Sequence, residues 1–316
     1  MLTLDQLRNF EAEGYLVVED VFDDDILSAL RIEYEAKLRQ LCAEWVDENR
    51  LSPHLPMATF EECVLGVYDA GLDYFQPLDI SLPPGDIKAD TPTHFGDAVF
   101  AMMTYPRLLD LVESIIGAEI ESNPIQHVRI KPPSAKLYDD EIRAHITATD
   151  WHQDRAVTLE EADATRMVTV WVAVNDATVE NGCLQVIPGS HRQPMQPHCP
   201  QGQLAIPIQC MDLKKARPLP VKAGGIVMFD PLTIHSSLTN RSKGVRWSFD
   251  LRYNVTGDPT GRPMFPGFVA RSRTNPETVL RDPEKWRALW RTAQDRLVHA
   301  PAVEIHRWPA DAEICA

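Results

Sequence analysis

No apolar run in this 316-residue chain approaches the length that spans a bilayer. The opening residues, Met1-Leu2-Thr3-Leu4-Asp5-Gln6, lack both the basic and the apolar segment of a secretory leader. Positive charge is scarce: 31 Lys and Arg stand against 46 Asp and Glu, a formal charge of −15. That balance excludes general affinity for nucleic acid or an anionic membrane surface. It also weighs against a polyanionic substrate, unless a local basic pocket overrules the average. The six cysteines (Cys42, Cys63, Cys183, Cys199, Cys210, Cys315) show no Cys-x-x-Cys spacing. Reduced thiols in a cytoplasmic protein are therefore expected, with neither a zinc site nor a structural disulfide. No internal repeat or low-complexity linker divides the chain, so a single domain over residues 1–316 is expected. Hydrophobic residues at 44% and charged residues at 24% are ordinary for a soluble globular protein.

Apolar spacing predicts a helix over 3–13 with Thr3 as N-cap and Gly14 as its stop, then a short strand at 15–18. A longer helix follows over about 25–49, with acidic Asp23, Asp24 and Asp25 at its start. Prolines break up residues 50–97, where only 58–72 has helical spacing and where His54 and His94 read as loop histidines. A helix over 106–116 ends at Gly117. From residue 120 the texture changes to short β-branched runs. Strands are expected at 125–131, 148–153, 167–175, 184–187, 219–221, 225–229, 234–238 and 245–253. Such a run, with helices outside it, indicates a mainly β antiparallel sandwich or jelly roll over about 120–255. An N-terminal helical and irregular part (1–119) precedes it. A tail (256–316) follows, helical over 276–297 with Trp286, Leu289, Trp290 and Leu297 on its apolar face. Long loops at 132–146 and 190–206 flank the strands that matter below and are either lids over a site or solvated insertions.

The chemistry centres on Asp150-Trp151-His152-Gln153-Asp154 and on His235. On an extended strand, residues two apart point to one side, which puts His152 and Asp154 together. With His235 from a distant strand they form a two-histidine, one-carboxylate set of the kind that holds Fe(II) and leaves positions open. On 245–253, Val245, Trp247, Phe249, Leu251 and Tyr253 alternate with Arg246, Ser248, Asp250 and Arg252. The polar face meets either water or an internal cavity. A hairpin through 240–244 is expected to set Arg246 beside His235 on neighbouring strands, where a guanidinium can grip a dicarboxylate.

An ordered set of short motifs accompanies these residues: Gly14-Tyr15, Lys131-Pro132-Pro133, Trp151-His152-Gln153-Asp154, Trp171-Val172-Ala173, Asn181-Gly182-Cys183-Leu184, Ile187-Pro188-Gly189-Ser190-His191, Gly224-Gly225, His235-Ser236-Ser237 and Arg246-Trp247-Ser248. The set resembles the phytanoyl-CoA dioxygenase family of Fe(II)/2-oxoglutarate oxygenases, from residue 3 to about 254. The resemblance implies a double-stranded β-helix (jelly-roll, cupin-like) core with helices packed outside. It implies His152, Asp154 and His235 as iron ligands, and Arg246 as the residue holding 2-oxoglutarate, with Ser237, Ser248 and Gln126 assisting. Lys131, Arg129, Trp171 and Arg252 are lesser candidates for contact with co-substrate or substrate. The implied activity is hydroxylation of an unactivated C–H bond of a small molecule, with Fe(II), O2 and 2-oxoglutarate, the last going to succinate and CO2. A carboxylate at position 154 favours this over halogenation. No nucleic-acid, membrane or obligate protein partner is expected. The rival readings are a cupin-like metalloenzyme that does not use 2-oxoglutarate and a non-catalytic small-molecule-binding member of the fold.

Overall fold

The computed structural model describes residues 1–301, 307–309 and 312–315. Thr3 opens helix α1 (Leu4–Glu13) through a capping box with Gln6, and Gly14 closes it in the left-handed conformation at φ 79°. A Cβ at Gly14 would lie 2.2 Å from His191 Nδ1, so the turn into β1 (Tyr15–Val18) requires glycine. Helices α2 (Asp24–Asp47), α3 (Phe60–Asp69), α4 (Phe75–Leu78), α5 (Asp97–Met103) and α6 (Pro106–Ile116) follow. Next come β2 (Ile120–Ser122), β3 (His127–Lys131), β4 (Met167–Ala173), β5 (Leu184–Val186), β6 (Cys199–Gln201), β7 (Gln203–Ala205), β8 (Arg217–Leu219), β9 (Ile226–Phe229), β10 (His235–Ser237), β11 (Arg246–Val255) and β12 (Phe268–Arg271). Helix α7 (Pro283–Leu297) follows β12.

Two antiparallel sheets face each other. In the larger, β11 pairs along one edge with β4 and along the other with β3 and then β2; β9 and β1 extend the first side and β12 the second. The smaller is β10-β5-β8. Alternation along β11 divides its work. Trp247, Phe249, Leu251 and Tyr253 join the helices in the main core, where Tyr34 of α2 packs 5.2 Å from the Trp247 ring and 5.6 Å from Phe249. Arg246, Asp250 and Arg252 turn the other way and line a cavity between the sheets. Beside that cavity Trp171, Val227 and Phe229 of the larger sheet pack against Leu184, Val186 and Leu219 of the smaller. The polar face of β11 thus looks inward.

Several expectations change. Residues 148–153 form no strand; His152 makes a single antiparallel bridge to His235, and the chain then turns into a 3-10 helix at Asp154–Val157. The neighbouring backbone groups find partners elsewhere: Ile206 N–H donates to Trp151 O, and Gln203 Oε1 accepts from Asp150 N–H. His235 and Arg246 are not on paired strands. β10 belongs to the small sheet and β11 to the large one, so the connection crosses between layers instead of closing a hairpin. Asn240 anchors that crossing by donating to Lys131 O and Gly244 O. Leu289 is 40% exposed, leaving Trp286 and Trp290 as the buried face of α7. The expectation of six reduced thiols fails at one pair: Cys199 and Cys315 form a disulfide across 116 residues, a separation that no short spacing rule detects. No helix among the described residues is long and apolar enough to cross a membrane.

Candidate active site

The bridge at His152 and His235 brings the distant parts of the site together. His152 N–H donates to His235 O at 2.9 Å, and His235 N–H returns a bond to His152 O at 3.0 Å. Each imidazole is then fixed by a carbonyl two residues earlier: His152 Nδ1 lies 2.8 Å from Asp150 O and His235 Nδ1 lies 3.0 Å from Thr233 O. A carbonyl only accepts, so both Nδ1 atoms carry the proton and both Nε2 atoms offer a lone pair. Those Nε2 atoms sit 3.6 and 3.9 Å from Asp154 Oδ1, and the three potential ligand atoms lie within 4.8 Å of one another. Two neutral imidazoles and one carboxylate in that span match the donor set for a divalent first-row metal. Burial draws the His235 imidazole down to about 4, so it remains an electron-pair donor at neutral pH.

Asp154 is held from two further sides. Thr169 Oγ1 donates to Oδ2 at 2.6 Å, and the Arg252 guanidinium pairs with Oδ1. Burial alone would raise this carboxyl, but Arg252 and the two histidines hold it well below the usual carboxylate range.

Deeper between the sheets lie two basic side chains, Arg246 and Lys131. Arg246 is 1% exposed, donates to Ser248 Oγ, and stacks its guanidinium 5.5 Å from the Trp171 ring centroid. Its Nε has no hydrogen-bond partner. Burial lowers it to about 10, which leaves it charged at neutral pH. Lys131 faces the same cavity and donates to Thr149 Oγ1 at 2.8 Å and to Ser237 Oγ at 3.0 Å. Burial, then the charges of Arg246 and Arg129, press its ammonium well below the ordinary lysine value. The nearby Asp250 is committed to Arg129 at 2.7 Å. A buried guanidinium with an orphaned donor, beside the Lys131 amine, makes a receptor for a small anion.

The remaining predicted residues divide as follows. Arg129 and Arg252 line the cavity but are engaged by Asp250 and Asp154. Trp171 is at once core and cavity wall. Gln126 is not brought to the site: it is 2% exposed and donates to Ile80 O, lying one residue out of phase with the cavity-lining Arg129 and Lys131. Residues that the sequence reading missed include Thr169 and Asp250, which period-two alternation along β4 and β11 had already put in phase with Trp171 and Arg246. His127 and His145 were also missed. They line a second chamber of about 220 Å³ that opens from His152 and Asp154 past Leu82, Ile125 and Val157. His145 is stacked on Phe75 with ring centroids 3.8 Å apart, and it lies in the 132–146 loop, where no periodicity marks it.

The family described as phytanoyl-CoA dioxygenase matches residues 10–248. The peroxisomal phytanoyl-CoA dioxygenase of Bos taurus is 26% identical over 253 residues, 78% of this chain and 66% of its own length. The present chain therefore matches just under two thirds of that relative. Among solved structures, the epimerase SnoN in complex with Fe3+, alpha ketoglutarate and nogalamycin RO aligns with a TM-score of 0.53 at 21% identity, over 81% of this chain and 86% of that one. EctD from S. alaskensis with 2-oxoglutarate and 5-hydroxyectoine aligns with a TM-score of 0.55 at 18% identity, over 81% and 77%. At these identities the two structures share the fold with this chain.

Proposed function

This chain belongs to the phytanoyl-CoA dioxygenase family, and from that premise we propose that it is a non-haem Fe(II)/2-oxoglutarate-dependent dioxygenase that hydroxylates an unactivated C–H bond of a small molecule. The core that carries this activity is a double-stranded β-helix of the jelly-roll, cupin-like kind. It sits within one domain that includes the helices before it and the tail after it. His152, Asp154 and His235 hold the metal through Nε2, carboxylate and Nε2. Arg246 holds the distal carboxylate of 2-oxoglutarate, with Lys131 as its neighbour and with Ser237 and Ser248 keeping the two basic side chains in place. Fe(II), when bound, supplies the activation of O2 coupled to conversion of 2-oxoglutarate into succinate and CO2.

The chain's own residues do the positioning. The carbonyls of Asp150 and Thr233 fix the ring orientations of the two histidines before any metal arrives. Trp171 and Phe229 wall the co-substrate space and keep water from it. One observation carries this reading: buried Arg246, whose Nε has no hydrogen-bond partner, lines the cavity that is also lined by His152, Asp154 and His235. Succinate release from Fe(II), O2 and 2-oxoglutarate tests it. The wild-type protein is expected to turn over 2-oxoglutarate, and Arg246→Ala is expected to weaken 2-oxoglutarate binding roughly a hundredfold, the usual scale for unpairing a buried charge. Failure of the Fe(II)-loaded protein to bind 2-oxoglutarate overturns the proposal.

A further inference from the structure

Arg262 belongs to none of the motifs above, yet it is a guanidinium 7% exposed with no side-chain partner among the described residues. Most buried arginines in this chain are accounted for: Arg155 by the carbonyls of Ala162 and Thr165, Arg252 by Asp154 and Ile125 O, and Arg246 in part by Ser248. Arg262 instead faces open space. It lines the 220 Å³ chamber that reaches His152 and Asp154, and also an outer cavity of about 600 Å³; Pro84 and Phe265 border both as well. Among the described residues no acid offsets its charge. Burial, and then the charge of Arg252, lower Arg262 to about 10, so it is still a cation at neutral pH.

The loop that carries it is built to hold it there. Gly261 takes a left-handed φ of 75°, and its carbonyl accepts from Leu159 N–H at 3.1 Å. A Cβ at Gly261 would meet Thr158 Cβ at 2.5 Å. Asn123 donates to Thr260 O, and Phe265 N–H donates to Arg262 O. A charged group that is desolvated, fixed and unpaired costs stability unless a ligand completes it.

Resting on the oxygenase reading above, we propose that Arg262 anchors the substrate, and that the substrate is a small amphiphilic monoanion whose carboxylate it grips while an aliphatic segment lies along Leu82, Ile125 and Val157 toward the metal-binding residues. The chemistry of the walls sets the class. A planar guanidinium matches a carboxylate bidentately. The surfaces between Arg262 and His152 are largely apolar, which suits a hydrocarbon stretch. Among the described residues the outer cavity is lined by one lysine, Lys88, and one aspartate, Asp86, besides Arg262, which leaves little net positive charge for a multiply phosphorylated carrier.

Calorimetric titration of the Fe(II)-loaded protein under anaerobic conditions, saturated with 2-oxoglutarate, tests this with hexanoate against its neutral isostere hexanamide. Hexanoate is expected to bind about tenfold or more tighter than hexanamide, and Arg262→Gln is expected to erase that preference, as loss of a charge-assisted pair does. Arg262→Lys keeps the charge without the fork and should recover part of it. Equal binding of acid and amide to the wild-type protein, which needs no variant to fold, overturns the inference; so does a preference that survives in Arg262→Gln with an unchanged melting curve. The two proposals fail separately. If hexanoate binds through Arg262 although 2-oxoglutarate does not bind, the co-substrate reading falls and the anion site stands. If 2-oxoglutarate binds and hexanoate shows no preference, the reverse holds.

Discussion

His198 is fully buried, accepts from Gln153 N–H at Nε2 and donates from Nδ1 to Gln196 O. Both bonds require the neutral ring. Burial pulls its folded-state value from 6.5 to about 3. Between those values the unfolded chain takes up a proton that the folded chain refuses, so this contribution to stability is intact near neutral pH and is lost as pH falls. We expect the unfolding free energy of His198→Gln, read from urea titrations, to fall by about 1 kcal/mol less per pH unit than that of wild type as the medium is acidified through that window. An acid slope identical to wild type would contradict it. Thr169 is the second residue to test. Its hydroxyl is the only neutral donor to Asp154 among the described residues, and Thr169→Val keeps the shape while removing that bond. Fe(II) affinity should drop by about tenfold, the lower range for loss of a group that orients a metal-binding carboxylate, as read by metal titration. The sequence names His152, Asp154, His235 and Arg246, which the structure brings to one cavity, because each is a polar residue at a fixed offset within a strong motif. It missed Thr169 and His145 for different reasons: Thr169 sits in a run of β-branched residues that looks like plain core, and His145 lies in a loop without period. Gln126 went astray because motif proximity was weighed above strand phase.

Among the elements, the seam between the sheets explains where prediction failed. Strands with clear alternation, such as β11 and β4, were legible within a few residues. The segment at 148–153 looked like a strand, but its backbone bonds go to Ser237, His235, Gln203, Ile206 and His198, and the last three are tertiary contacts made by residues 196–206. The crossing from β10 to β11 was equally hidden, since a short polar connection can close a hairpin or step between layers. The pairing of Cys199 with Cys315 ties the β6–β7 hairpin to the end of the described chain. By chain-entropy reasoning a link across that separation contributes up to about 5 kcal/mol. Reductant should lower the melting temperature of the wild-type protein and leave Cys315→Ser, already lowered, unmoved. A wild-type melting curve indifferent to reductant would show that the link contributes nothing.

Across the whole molecule, the helices before residue 119, the large sheet and α7 share one core. Leu30 and Tyr34 of α2, Phe100 of α5, Phe249 of β11 and Trp286 of α7 belong to the same buried cluster, with Phe100 and Trp286 rings 5.7 Å apart. A chain whose parts share a core in this way is expected to unfold in a single calorimetric transition, with equal van't Hoff and calorimetric enthalpies. Two resolved transitions would divide the domain proposed above.

Strand β11 gives one final consequence. Its even-numbered side chains make up the anion grip and the acid–base partners of the cavity, and its odd-numbered ones are the floor on which α2 rests. Deleting a single residue from the connection ahead of it, if taken up as slippage along β4, would exchange the two sets wholesale, carrying indole and phenyl rings into the wet chamber and guanidinium groups beneath the helices. Length in that connection is therefore under a parity constraint, and paired insertions or deletions there should be tolerated far better than odd ones.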